Sequence, residues 1–100
     1  MYKKVKQVFD LETGEEILLS DGELVVESDG SRNSWHSLLA DVKNGKSLNR
    51  AMRAKKQPTL KFICDDNDVF EGTVIVSRVT SGDLGVYIEL TGNGQLKSYI

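Results

Sequence analysis

SRNSWHSLLADVKNGKSLNRAMRAKKQP, residues 31–58, is the one stretch that reads as helix, and both flanks read as strand and turn. Ser34 offers a hydroxyl to an orphan backbone N–H and is the expected N-cap of a first helix. Trp35, Leu38, Leu39 and Val42 then recur at i, i+3, i+4 and i+7, one stripe of a 3.6-residue period. Asn44-Gly45 tolerates positive φ and ends that helix. A second helix is expected from Ser47 as N-cap, with Leu48, Ala51 and Met52 as its apolar stripe. Pro58 pushes Gln57 out of helical geometry and closes the segment. A single rod is the rival. At about 100° per residue, however, its two stripes would point roughly 140° apart, so they could not both reach one core.

The outward face of the second helix carries the candidate site. Asn49, Arg50, Arg53, Lys56 and Gln57 lie opposite the apolar stripe, with Lys43, Lys46 and Lys55 alongside. From Val42 to Cys64 the chain has seven Lys/Arg and no Asp or Glu. The whole chain is −2, so the remainder carries −9. Such asymmetry is the footprint expected of a surface that meets phosphates or an acidic partner. The plainer reading is that Lys and Arg, good helix formers, fill a solvated face, the last of them favoured by the helix dipole.

One hundred residues is the length of one domain, with strands expected over 4–27, a helical segment over 34–57 and strands again over 59–99. Composition is that of a globular chain, 39% hydrophobic and 28% charged. A single cysteine excludes an internal disulfide and any multi-cysteine zinc site, and Cys64 sits in the apolar run Leu60–Cys64 as a buried structural thiol. No apolar run approaches the roughly 20 residues that span a bilayer, so no membrane partner is expected. Met1-Tyr2-Lys3-Lys4 is basic but lacks a following hydrophobic core. No signal peptide is expected, and the cytoplasm is the expected compartment.

The flanks supply the rest of the fold. Lys4 to Leu11, Glu15 to Leu19 and Glu23 to Glu27 read as strands, with Ser20-Asp21-Gly22 as a hairpin turn between the last two. A second Ser-Asp-Gly, Ser28-Asp29-Gly30, is expected to lead from the third strand into the helices. After Pro58, Thr59 to Cys64 and Val69 to Val79 read as strands, the latter rich in β-branched residues. Gly72 within it marks a bulge or bend. Thr80-Ser81-Gly82-Asp83 turns into Leu84 to Leu90. Thr91-Gly92-Asn93-Gly94 reads as another turn, and Gln95 to Tyr99 as a short edge strand open to pairing between subunits as a homodimer. The expected class is α+β: an antiparallel, strongly bent sheet or small barrel, OB-like or SH3-like, with two short helices between strands 3 and 4. An architecture of this kind transfers no function.

Chemistry-bearing patterns are few. His36, the only histidine, falls on the flank of the first apolar stripe without a sequence-legible nucleophile or orienting carboxylate. Asp65-Asp66-Asn67-Asp68 fails as a calcium loop: from either of its first two residues the sixth position lacks Gly and the twelfth lacks Glu. An Asx-rich turn is the expectation there. The glycines form neither GxGxxG nor GxxxxGK[ST], and GxSxG is absent. A helix-turn-helix around Gly45 fits at Ala51 but not at Asp41, where a small residue is wanted. Among the strand aromatics, Tyr87 and Tyr99 are expected outward and Phe9 and Phe62 inward. An outward aromatic would offer bases a stacking surface.

The function expected from sequence is therefore a small non-enzymatic binding module without metal or cofactor. It would contact nucleic acid or a nucleoprotein through Lys43, Lys46, Asn49, Arg50, Arg53, Lys55 and Lys56. The alternative is a protein–protein module, an adaptor or inhibitor, that uses the same face on an acidic partner or pairs through a strand edge.

Overall fold

The protein is described here from a computed structural model covering residues 1–29, 32–83 and 85–99. Its elements are β1 (Tyr2–Asp10), β2 (Glu16–Ile17), β3 (Asp21–Asp29), β4 (Arg32–Ala40), α1 (Lys46–Arg53), β5 (Thr59–Cys64), β6 (Val69–Gly82) and β7 (Gly85–Tyr99). Hydrogen-bonded neighbours run β1-β3-β4-β7-β6-β5, and β5 pairs back onto β1, so six antiparallel strands close into a barrel. β2 is an extra two-residue strand. It shares one edge of β1 with β3, matching Val8 to Ile17, while β3 matches Tyr2 to Val25. Closure of β5 onto β1 leaves neither of those two strands as an open edge of the sheet.

Alternation of period two places the core. Leu60, Phe62 and Cys64 of β5 point inward, as do Phe70, Val74 and Val76 of β6 and Ile88 and Leu90 of β7. Three register irregularities bend the strands far enough to close: on β1 near Lys6, on β6 near Ser77, and opposite Gly72. The last one lies in β7, where Glu71 matches Lys97 but Thr73 matches Asn93. Gly72 was thus legible as an irregular point, although the extra residues belong to its partner strand.

The first helix expected from sequence does not form. Residues 32–40 are the strand β4, bonded to β3 along its whole length and to β7 from His36 to Leu39. Trp35, Ser37 and Leu39 face the interior and His36 faces solvent. The helical stripe shares Trp35 and Leu39 with this inward set, and an inward serine hid the alternation. Ser37 is tolerated there because its hydroxyl donates to the Glu23 carbonyl at 2.6 Å. Ser34 is consequently an exposed strand residue and caps nothing. With one helix instead of two, the insertion lies between β4 and β5, and no helix-turn-helix exists among the described residues.

Several expected turns are also strand. Asp21 and Gly22 open β3 and pair with Ala40 and Leu39, and Gly22 is buried; a Cβ there would lie 2.8 Å from Leu19 Cδ1. The glycine serves a close approach, not a hairpin. The second Ser-Asp-Gly falls partly outside the described residues, but Asp29 pairs with Arg32, so β3 leads into a strand and not into a helix. Thr80 and Ser81 continue β6 against Tyr87 and Val86. Thr91 to Gly94 lies within β7, not in a turn.

Trp35 explains why glycines punctuate β6 and β7. A Cβ on Gly92 would sit 2.2 Å from the indole, and one on Gly72 would sit 2.5 Å from it. The ring occupies the space those side chains would have taken. Its Nε1 donates to the Gly94 carbonyl at 3.0 Å, and its edge meets Phe62 at a centroid distance of 6.0 Å and 84°.

Candidate basic site on the single helix

Lys46–Arg53 forms a helix because Leu48 and Ala51 are buried on one side with Met52 half-buried beside them, which is the apolar stripe expected from sequence. This face packs against β6. The start differs from expectation. Gly45 occupies the N-cap without a side-chain hydrogen bond, and Ser47 lies inside the helix, its buried Oγ without a partner. Gly45 lies close to the barrel: a Cβ there would make a tight contact with Ile88 Cδ1 at 3.2 Å.

The helix ends in a Schellman arrangement. The Lys56 N–H donates to the Ala51 carbonyl at 2.8 Å and the Lys55 N–H to that of Met52 at 3.2 Å. Lys55 holds the left-handed position at φ 55°, where glycine is usual. The chain then reaches the buried Pro58, whose carbonyl accepts the Val74 N–H at 2.9 Å. That bond ties the end of the basic segment to β6.

Lys46, Arg50, Arg53, Lys55 and Lys56 are all exposed, and Asn49 is half-buried on the same helix. Among the described residues none of these five cations lies within 4.0 Å of a carboxylate, whereas Lys3, Lys4, Lys43 and Arg78 each do. Lys43 differs from those five in having a carboxylate partner. Its ammonium sits 2.9 Å from Asp41, whose carboxyl is held below the usual range by the Ser20 hydroxyl first and by Lys43 second. The C-terminal half of a helix favours such cations, so Arg50 and Arg53 sit where the backbone dipole suits them.

Beside this face runs an open groove of about 660 Å³ between α1 and the β1–β2 turn. Arg50, Arg53 and Lys56 line it from the helical segment, Asp10, Glu12 and Thr13 from the turn, and Ala51, Ala54 and Pro58 line it too. Asp10 is buried, and its Oδ1 accepts the backbone N–H of Glu12 at 2.9 Å, which shapes the turn. Sequence pattern gave no access to this juxtaposition. Asp10 and Arg50 are forty residues apart, and only barrel closure brings the end of β1 to α1.

The remaining candidates lie outside this groove. His36 lies on the outer barrel surface in a shallow hollow that Glu23 and Glu89 also line. Among the described residues no group of three His, Cys, Asp or Glu could hold a metal ion. Lys3 bridges Asp66 and Asp68, and the Asp68 N–H donates to Asp66 Oδ1 at 3.1 Å, an Asx turn with its own counter-ion. Cys64 is buried, and burial pushes its thiol up to about 11. Phe62 is core and Phe9 half-buried, while Tyr99 is exposed and Tyr87 half-buried. The exposed Tyr2 and Tyr99 bond Glu23 and Glu71, and neither lines the groove. No helix among the described residues is long and apolar enough to cross a membrane. No family model matches the chain, and neither does any curated protein or solved structure.

Proposed function

We propose that the protein is a non-enzymatic binding module that engages the phosphates of nucleic acid through the exposed face of α1. One observation carries this reading. Lys46, Arg50, Arg53, Lys55 and Lys56 stand together without a carboxylate within 4.0 Å among the described residues, in a chain that pairs four of its other cations. Unpaired cations on one rigid face release counter-ions from a phosphate backbone, and that gives affinity without base reading. The barrel is the scaffold, and the Lys56–Ala51 and Pro58–Val74 bonds hold the basic segment in one place.

The same geometry speaks for backbone contact over base stacking, because no aromatic side chain lines the groove beside these cations. Within this reading the barrel is OB-like in layout: three barrel strands, a helix, then three more, one beyond the five of an OB barrel. The end of β7 is bonded to β6 through Tyr99–Val69, which takes one of its two edges.

Fluorescence-anisotropy titration of labelled duplex and single-stranded DNA and RNA, at low and near-physiological salt, tests the reading. Saturable, salt-sensitive binding with little preference for sequence is expected. No binding at either salt would overturn it and turn the search to an acidic protein surface.

A further inference from the structure

The groove beside α1 joins opposite charges that do not touch. Arg50, Arg53 and Lys56 face it from the helix side and Asp10 and Glu12 from the turn, yet no ion pair within 4.0 Å joins the two sides among the described residues. A run of phosphates laid along the groove would meet carboxylates on its far side. One phosphate held against the cations would not, provided the rest of the ligand turns hydroxyl or amino groups toward the acids. Ala51, Ala54 and Pro58 also line the groove, Ala54 exposed and the other two buried, so an apolar part of the lining is open to a ring at Ala54. The volume of about 660 Å³ falls in the range of small-ligand sites. Ser47 adds a second, independent sign. It lines the same groove, and its buried hydroxyl has no partner. A hydroxyl left so costs stability unless something bonds to it.

We propose that this groove seats a small phosphomonoester of mononucleotide size. Its phosphate is held by Arg50, Arg53 and Lys56, its ring lies over Ala54, and its donor groups face Asp10 and Glu12. The proposal rests on the reading of α1 as a phosphate-binding face and goes further by naming a discrete small-molecule seat. The planar guanidinium of Arg suits bidentate capture of a phosphate, and the paired Arg50 and Arg53 supply two.

Ala54 provides the test because it is exposed and carries no charge. Ala54→Leu puts a larger side chain into the groove and leaves every charge unchanged. Calorimetric titration with AMP, ribose 5-phosphate and inorganic phosphate is run on the parent chain and on this variant, beside anisotropy with labelled DNA. AMP is expected to bind the parent at least about tenfold more tightly than inorganic phosphate, with ribose 5-phosphate between them. Ala54→Leu is expected to weaken AMP about tenfold or more while DNA affinity changes less than about twofold. AMP binding no tighter than inorganic phosphate would overturn the proposal in the parent chain alone, whatever the variant does. DNA binding that persists with no AMP binding would sink the small-molecule seat and spare the reading of α1. Loss of both in the parent would sink the two together.

Discussion

The indole of Trp35 and the backbone of Gly92 share a space that admits no side chain: a Cβ on Gly92 would lie 2.2 Å from the ring. This contact joins β4 to β7 beyond the point where their ladder stops, at His36 and Thr91. The nearby hydrogen bond from Trp35 to the Gly94 carbonyl completes the join.

Gly92→Ala must therefore move either a rigid ring or a strand backbone, and it is expected to cost about 3 kcal/mol, the upper part of the range for overpacking. Gly94→Ala meets no atom within 4 Å, but Gly94 holds φ 84°, so a cost of about 1–2 kcal/mol is expected from conformation alone. Denaturant melts of the two variants check this order. Equal costs would mean that the ring yields easily.

Lys55 holds a left-handed φ of 55° at the end of α1. Lys55→Gly removes that strain, although it loosens the unfolded chain, and a net gain of about 0.5–1 kcal/mol is expected. A thermal or urea midpoint that falls would show that the lysine side chain, and not its backbone, governs this turn.

The buried Cys64 thiol ties stability to alkaline pH. Burial raises its folded value to about 11, with the Asp66 charge as a smaller cause, so the neutral form is favoured in the folded protein. A raised acid contributes fully below its unfolded value near 8.5–9, and the contribution is lost as pH climbs through the folded value. A decline of about 2 kcal/mol between pH 9 and 11 is expected, scaled from the cost of a pKa shift. The comparison is urea unfolding of the parent and Cys64→Ala across that window. Parallel slopes would remove Cys64 as the cause. The parent thiol should also resist thiol reagents until the barrel unfolds.

Much of the barrel could be read in advance. Period-two burial in β5 and the first half of β6, the buried Cys64 and the Leu48/Ala51 stripe follow directly from residue pattern. Residue pattern misleads where one residue breaks it. Ser37 faces the core on β4, so the alternation Trp35-Ser37-Leu39 reads as helical; the hydrogen bond that makes it acceptable is donated by Ser37 to the Glu23 carbonyl, on another strand. The glycines of Asp21-Gly22 and Gly92 looked like turns because a turn and a close approach both require a missing Cβ. The basic face was visible as charge along one segment. The pairing of Lys43 with Asp41, held in turn by Ser20, was not. Nor was the acid side of the groove, because Asp10 meets α1 only through closure of β1 on β5.

Charge reversal on α1 tests the central claim most directly. Arg50→Glu/Arg53→Glu is compared with Lys6→Glu/Lys97→Glu, which alters net charge equally at exposed positions outside α1. Both pairs are measured by DNA anisotropy across a salt series, with thermal midpoints in parallel. The α1 pair is expected to lose about tenfold or more in affinity and to flatten the salt dependence, with stability changed by less than about 0.5 kcal/mol per surface position. The control pair is expected to retain most of the parent affinity. Equal losses in the two pairs would contradict the account, because they would make binding a matter of net charge and not of the α1 face.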